Sequence, residues 1–565
     1  MKTSEESTIV PFPGDENHTV TVGQYLLDRL YQLGVEHIFG IPGDYIIRFD
    51  KLIEEHPIKF INTTRENTAG YMADAYARLK GIGVACITYG VGINIINATA
   101  QAFTEGVPLV IISGAASTEE FLNNPFLHHM INKSCNMNRD LTQLEIFKQV
   151  TVGQAVLDDP LKVSEEIDRL LNLCLTENQP VYIELPRDMV DKPLPFHQPH
   201  PVQEIPCDKE ALTEALNETL MMLEGSSRPI IWVGREVSSF GLADDVIAFA
   251  ERFNIPIVST LLGKSVIDER HPLFVGVYQG GMSRKEVEDF VDNSDCIMML
   301  GVLRSDVDTG FHSTHIETNH RIVSSIRRVA IAHHEFPDIH FSHFIQALPH
   351  LPMSKIFSND YPKNIDRMQS FTAEKDKNIT TARLLECLQS YIKPDHILTT
   401  DCGDCLFASA DLILGRNSYC APAYFATMGY GVPASVGGAI SQPERRVIGL
   451  VGDGGFQMTA TELTTALRYA ADPIIIVMNN HGYGTERPLI EGEFNEIENW
   501  NYAQLPEFLG GGKGVRVKTE NALEKSLKEA LSQRGTYWVI EVELGKTDFS
   551  PALIRFKEHA SRTVK

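Results

Sequence analysis

An apolar run at Val447–Val451 leads straight into Gly452-Asp453-Gly454-Gly455, and a second run at Ile474–Met478 ends in Asn479-Asn480-His481-Gly482. Both runs read as strands buried on two faces, because they are rich in Val and Ile and do not alternate. Glycines directly after a strand let the backbone approach a phosphate. The helix pattern that follows, from Thr459, adds free N–H groups and a positive dipole end. Adjacent phosphate oxygens also need a hard cation, and magnesium takes a few protein oxygens and completes its shell with phosphate and water. Asp453, the amide oxygen of Asn480 and the main-chain carbonyl of Gly482 are candidate ligands, at strand ends where open α/β sheets bind ligands. Gly-Asp-Gly alone is usually just a turn. Its pairing with Asn-Asn after the 24 residues 455–478 points to a diphosphate and metal site.

Other residues able to do chemistry are scattered. Glu66 follows an apolar run and opens an Ala-rich helix pattern, where an acid by itself would simply complement the helix dipole. His128 and His129 are adjacent, Asp44 closes a Gly-Asp turn, and Glu486 follows the Asn-Asn segment. Gly90-Val91-Gly92 lacks the third glycine of a dinucleotide fingerprint, so no nicotinamide cofactor is expected. Cys402 and Cys405 have CxxC spacing but no second pair, and with nine cysteines in all they read as free thiols of a reducing compartment.

These residues need elements to hold them. Short apolar runs alternate with helix-like segments: Lys59–Thr64, Val84–Tyr89, Leu109–Ser113, Val181–Leu185, Ile230–Val233, Ile257–Thr260, Cys296–Leu300, Ile397–Thr400 and Trp538–Val542 join the two runs above. Val22–Leu33, Ala69–Leu79 and Thr461–Ala470 read as helices. The alternation predicts an α/β fold of three open parallel-sheet domains. Two aperiodic stretches, Pro186 to Pro206 and Pro352 to Asn378, read as linkers and divide the chain near 1–195, 205–350 and 380–565. The 565 residues carry a net charge of −24, which argues against nucleic acid as a partner. The N-terminal residues are polar, without the apolar core of a signal peptide, and no apolar run approaches membrane-spanning length. A soluble cytoplasmic protein is the expectation.

Gly-Asp-Gly, some two dozen residues and then Asn-Asn resembles the signature of thiamine-diphosphate enzymes, and the resemblance extends over nearly the whole chain. It implies a pyrimidine-binding domain (1–195), a central domain (205–350) and a diphosphate-binding domain (380–565). It also implies thiamine diphosphate and Mg²⁺ as cofactors, the metal on Asp453, Asn480 and Gly482. Gly403 and Asp404 resemble the family's turn against the diphosphate, with Gly454, Gly455 and Tyr483 beside it. Met428 matches the apolar residue that props the thiamine into its bent shape. Ala426, where relatives usually have glycine, would offer its carbonyl to the 4′-amino group. The stretch from Glu66 to Arg78 resembles the family's E-x-x-A-x-x-x-A-D-x-Y-A-R, so Glu66 is implied as the acid on the aminopyrimidine N1′. In the family the pyrimidine and diphosphate domains meet across a dimer. Self-association into a dimer or a homotetramer is therefore implied.

Asp44, His128, His129 and Glu486, each in its flanking motif, resemble the pyruvate and indolepyruvate decarboxylase branch. The implied reaction is non-oxidative decarboxylation of a 2-oxo acid to an aldehyde and CO₂ through attack of the cofactor's C2. Glu486 would sit near the substrate carboxylate, and Asp44 with one or both histidines would relay protons. An acetolactate-type carboligase and a catalytically silent thiamine-diphosphate binder are the rival readings. Thr485 and Gly484 are small where pyruvate-specific relatives carry a branched residue before the glutamate. A larger aromatic or branched 2-oxo acid is therefore favoured over pyruvate, with Leu489, Leu553 and Phe556 as further pocket residues.

Overall fold

A computed structural model describes residues 20–123, 127–131, 140–194, 205–314, 316–358 and 360–560. Three sheets organise the chain, with strands drawn from 37–186, 229–337 and 397–543. All eleven apolar runs read from the sequence are strands, most shifted by one or two residues at an end.

The first and third sheets are six-stranded and parallel throughout. Both follow one order, in which the first strand lies between the second and third and the sixth lies between the fourth and fifth. The two outer domains thus share one sheet topology. In each sheet the strand order reverses between the first and third strands, which opens a crevice at their C-terminal ends. In the third domain that crevice lies between Ile397–Thr400 and Val447–Gly452, and Gly403 and Asp453 stand just beyond those ends.

The central sheet corrects the expectation of parallel sheets alone. Its seven strands are mixed, because Arg321–Ser325, Arg328–Ile331 and His334–Pro337 form an antiparallel meander at one edge. These short half-exposed strands carry too few consecutive apolar residues to read as buried runs.

Helices Glu66–Lys80 and Gly431–Ser441 pack against each other and merge the first and third domains into one hydrophobic core that includes Met72, Tyr76, Tyr430 and Val436. The helices approach closely because Gly437 has no side chain: a Cβ there would stand 2.7 Å from the Met72 carbonyl oxygen. The first aperiodic stretch is not linker from its start. Met189, Val190 and Leu194 are buried in the first domain's core, and Leu194 N–H donates to the Val20 carbonyl at 2.9 Å. The second stretch likewise plants Met353 and Phe357 in the central core and Phe371 in the third. Among the described residues no helix is long and apolar enough to cross a membrane.

Candidate active site

The third-domain crevice contains a cavity of about 240 Å³. Strand Val447–Gly452 runs without a loop into helix Asp453–Thr459, so Asp453 begins the helix at the cavity wall. Its Oδ1 accepts from Gly454 N–H at 2.8 Å and its Oδ2 from Gly482 N–H at 3.0 Å. Burial pushes its carboxyl up to about 6 in spite of these N–H donors. Among the described residues no cationic side chain pairs with it. A buried carboxylate held only by amides is short of positive charge, which a divalent cation would supply.

Of the two asparagines, Asn479 is structural and Asn480 faces the cavity. Asn479 Nδ2 donates to Glu541 at 2.9 Å, whereas Asn480 lines the wall with its amide against Gly484. Gly482 has φ +144°, and a Cβ there would lie 2.0 Å from the Asn495 carbonyl oxygen. Only glycine lets this turn bring its backbone beside Asp453. One carboxylate, one amide oxygen and one free carbonyl lone pair form the kind of sparse oxygen set that magnesium uses together with phosphate. Gly454 lies under the Tyr483 ring, and a Cβ at Gly452 would meet nothing within 4 Å, so the cavity floor is bare backbone. The residues present therefore fit a metal-bound diphosphate.

Gly403, Met428, Gly455 and Glu486 line the same cavity, as does Asp404. The Asp404 carboxylate is committed elsewhere: it accepts from the Ser550 N–H at 2.9 Å and from the Ser550 hydroxyl, and burial raises it to about 6. Any phosphate contact at Asp404 is left to its backbone. Cys402 and Cys405 are free and belong to the cavity wall. Burial first, then the Asp401 and Glu486 charges, hold Cys402 up at about 12, so it is a neutral thiol.

Sequence reasoning missed Asp401. It is fully buried and accepts from the N–H groups of Cys402, Gly429 and Gly431 at 2.9, 2.9 and 2.7 Å. This single carboxylate ties the end of a strand to both sides of the loop that presents Met428. Its signal was an acid directly at a strand end beside the topological switch. Ala426, in the same loop, has φ +56°, which accounts for the usual glycine of relatives. The first domain grips this loop from its other side: Glu105 accepts from Tyr424 and Phe425 N–H, both at 2.8 Å, and Asn97 accepts from the Thr427 hydroxyl at 2.8 Å.

The remaining residues gather in the first domain. Glu66 is the first residue of helix Glu66–Lys80, and its Oε2 accepts from Asn94 Nδ2 at 2.9 Å. The preceding turn is clamped by the third domain, because Thr64 N–H and hydroxyl donate to Glu462 at 3.1 and 2.5 Å. Asp44 Oδ2 and His128 Nε2 are 2.8 Å apart. The Tyr45 hydroxyl donates to the His128 carbonyl at 3.0 Å and lies 3.2 Å from His128 Nδ1, while the two rings stack at 4.9 Å. His129 has φ +65° and its ring is 4.6 Å from that of His128. Gly90 makes room for it, since a Cβ at Gly90 would sit 2.1 Å from the His129 carbonyl oxygen. The Gly90-Val91-Gly92 run is thus a spacer for the histidine pair. Tyr45 was also missed, although it directly follows Asp44. Burial and the neighbouring Asp44 and Glu120 charges raise its hydroxyl above the usual range.

The proposed site residues therefore form two separate groups. None of Asp44, Glu66, His128 and His129 lines the cavity, whose walls all come from residues 402–486.

Comparison with known proteins agrees with this architecture. Residues 20–138 match "Thiamine pyrophosphate enzyme, N-terminal TPP binding domain", residues 216–348 the central domain of the same enzymes and residues 401–542 their C-terminal TPP binding domain. An indole-3-pyruvate decarboxylase of Azospirillum brasilense is 34% identical over 96% of this chain and 98% of its own length. A pyruvate decarboxylase of Neurospora crassa is 29% identical over 96% of both chains. An alpha-keto-acid decarboxylase of Mycobacterium bovis is 30% identical over 94% of this chain and 95% of its own. With a strand-end cavity lined by Asp453, Asn480 and Gly482 on one domain, an acid-opened helix on another and relatives that align from end to end, the chain belongs to the thiamine-diphosphate-dependent 2-oxo acid decarboxylases, homologous to pyruvate and indolepyruvate decarboxylases.

Proposed function

We propose that this decarboxylase releases CO₂ and an aldehyde from a 2-oxo acid larger than pyruvate, with an aromatic or branched side chain. The observation that carries the reading is the wall beside Glu486. Cys402, Gly403, Gly484 and Thr485 line the cavity next to it, all small, and Thr485 stands 3.1 Å from where a Cβ on Gly403 would be. Full-length similarity to an indole-3-pyruvate decarboxylase supports the same reading.

Asp453, Asn480 and the Gly482 carbonyl would hold Mg²⁺, and the backbone of Gly403, Asp404, Gly454 and Gly455, with Tyr483 beside it, would receive the diphosphate. Met428, the Ala426 carbonyl and Glu66 would fix the other end of the cofactor. When bound, thiamine diphosphate supplies the electron sink for the pair released from the bond to CO₂. Glu486 places a carboxylate by the substrate's own, which favours the departure of a neutral molecule.

Asp44, His128 and His129 move the proton. Tyr45 makes this physically workable. With its hydroxyl donating to the His128 carbonyl, its oxygen can accept from Nδ1–H while Asp44 accepts from Nε2–H, so a protonated His128 is fully satisfied. On losing a proton Nδ1 can instead accept from the Tyr45 hydroxyl. Both protonation states of the imidazole are accommodated without a rotation of the ring.

Because the two groups of residues are separate within one chain, we infer that a dimer completes the site, with the first domain of one protomer facing the third domain of its partner.

Steady-state kcat/KM with indolepyruvate, phenylpyruvate, a branched-chain 2-oxo acid and pyruvate tests the substrate. A clear preference for pyruvate would overturn the larger-substrate reading, and a 2-hydroxyketone as main product would point to a carboligase instead.

A further inference from the structure

The central domain carries a second cavity that the decarboxylase chemistry does not use. Its origin is an irregular crossover. Strands Cys296–Leu300 and Arg321–Ser325 are parallel, and such a connection normally lays a helix over the sheet. Among the described residues between these strands there are only turns and the short 3₁₀ segment Thr318–His320. A cavity of about 240 Å³ remains over this part of the sheet.

Its polar lining consists of Trp232, Arg304, Thr309, His312, Thr314 and Arg321. Two guanidinium groups thus face one space, and neither has an ion-pair partner among the described residues. Burial first, then the neighbouring charges of Arg304 and Arg328, pull Arg321 below its usual range. Trp232 is fully buried and forms part of the cavity floor. Thr309 already donates its hydroxyl to the Ser305 carbonyl at 2.7 Å. Its oxygen is left able only to accept.

The segment that borders the cavity is held in an expensive conformation. Gly310, Phe311 and His312 have φ of +56°, +52° and +65° in succession. L-residues in this region cost about 1–2 kcal/mol each and occur as single residues, not as runs. Two contacts fix the turn. A Cβ at Gly310 would stand 2.1 Å from the Gln279 carbonyl oxygen, and the Phe311 ring meets Phe556 of the C-terminal helix at 5.3 Å. The result is that Phe311 points to the C-terminal helix while His312 lines the cavity. Strain retained by the surrounding structure is a mark of function.

We propose that this cavity is a binding site for a small phosphate-type oxyanion. Among the described residues the lining offers two guanidinium groups, the Thr314 hydroxyl and an imidazole, and contains no carboxylate. That many converging donors exceed what the two oxygens of a carboxylate take up and match a tetrahedral oxyanion with three or four acceptors. The anion would neutralise the arginine pair.

The test uses the holoenzyme, saturated with thiamine diphosphate and Mg²⁺ so that the diphosphate cavity is filled. Inorganic phosphate and glycerol 3-phosphate are titrated separately by calorimetry at constant ionic strength. Saturable binding is expected for at least one of them, and which one binds identifies free phosphate or a phosphate ester as the source. In the doubly substituted R304Q/R321Q chain the affinity is expected to fall about tenfold or more, with decarboxylase activity retained. Arg304 is exposed, so Arg304→Gln alone gives the same readout if the double variant does not fold. Absence of saturable binding for both probes overturns the proposal, as does equal affinity in the substituted and unsubstituted proteins.

Discussion

Asp44 and His128 lie 84 residues apart in the chain, yet their Oδ2 and Nε2 atoms are 2.8 Å apart. The pair is built from two loops of one parallel sheet, and the His128 ring stacks on Tyr45. Asp44→Asn removes the carboxylate that accepts from His128 Nε2 and should lower kcat by about 10²-fold or more, the usual scale of a lost general acid or base. Tyr45→Phe deletes the hydroxyl that serves Nδ1 in both protonation states. We expect a smaller loss in kcat with an altered pH profile, and little change in cofactor affinity. An unchanged pH profile for Tyr45→Phe would remove Tyr45 from the relay.

Asp453 predicts how the apoprotein responds to pH. Its folded carboxyl sits near 6, above the ordinary 3.8. The folded state therefore holds the proton more tightly than the unfolded chain between those values. This stabilisation is complete below about pH 4 and is lost as the pH rises through about 6. Asp401 and Asp404, also raised by burial to about 6, act in the same direction. Metal binding requires the ionised form, so Mg²⁺ affinity should rise about tenfold per pH unit up to about 6 and level off above it. Calorimetry of apoprotein with thiamine diphosphate and Mg²⁺ across pH 5 to 8 checks the slope. Asp453→Asn should abolish the dependence together with most of the affinity.

Ala426 occupies a left-handed backbone position at φ +56°. Ala426→Gly relieves the Cβ cost there, and a gain of up to about 1 kcal/mol in unfolding free energy is expected, offset in part by the added freedom of the unfolded chain. Ala426→Val should destabilise the loop and weaken cofactor binding, because a β-branched residue tolerates this region worst. Thermal unfolding of the three holoproteins measures the order.

Thr485 tests the substrate reading by steric means. Thr485→Leu fills space beside Gly403 in the cavity wall. It should lower kcat/KM for phenylpyruvate by about 10- to 100-fold, the range that one or two carbons command in an apolar pocket. The effect on pyruvate should be slight. Equal losses on both substrates would show that the position does not select for size.

How much of this was legible in the sequence depends on what kind of signal each part leaves. Buried parallel strands announce themselves as apolar runs, and all eleven that were read are present. Among the described residues eight strands were missed, including Gly153–Val156, Lys513–Val517 and the central meander. These are short or edge strands whose exposed residues break up the run. The metal and diphosphate residues were legible because glycine spacing after a strand is a local pattern. Asp401, Tyr45 and Glu105 were not, since each acts through backbone or ring contacts made by distant segments, and an isolated Asp, Tyr or Glu has no local signature. Asp404 shows the reverse failure: the position is at the cavity as read, but its side chain is taken by Ser550, 146 residues away.

The separation of Glu66 from the Asp453 cavity gives the sharpest test of assembly. A chain carrying Glu66→Gln keeps an intact third domain, and a chain carrying Asp453→Asn keeps an intact first domain. Each alone should be nearly inactive. If sites form between protomers, a mixed dimer contains one site with both defects and one with neither, because a two-fold interface repeats each contact reciprocally. Co-expression with random pairing should then restore about a quarter of the wild-type activity, half the dimers being mixed with one good site of two. A site contained within one chain allows no such recovery, since every chain carries one defect. Separately tagged chains, purified through both tags, raise the expected recovery to about half. Activity at background in that doubly purified species would show that Glu66 and Asp453 do not serve one cofactor across the interface.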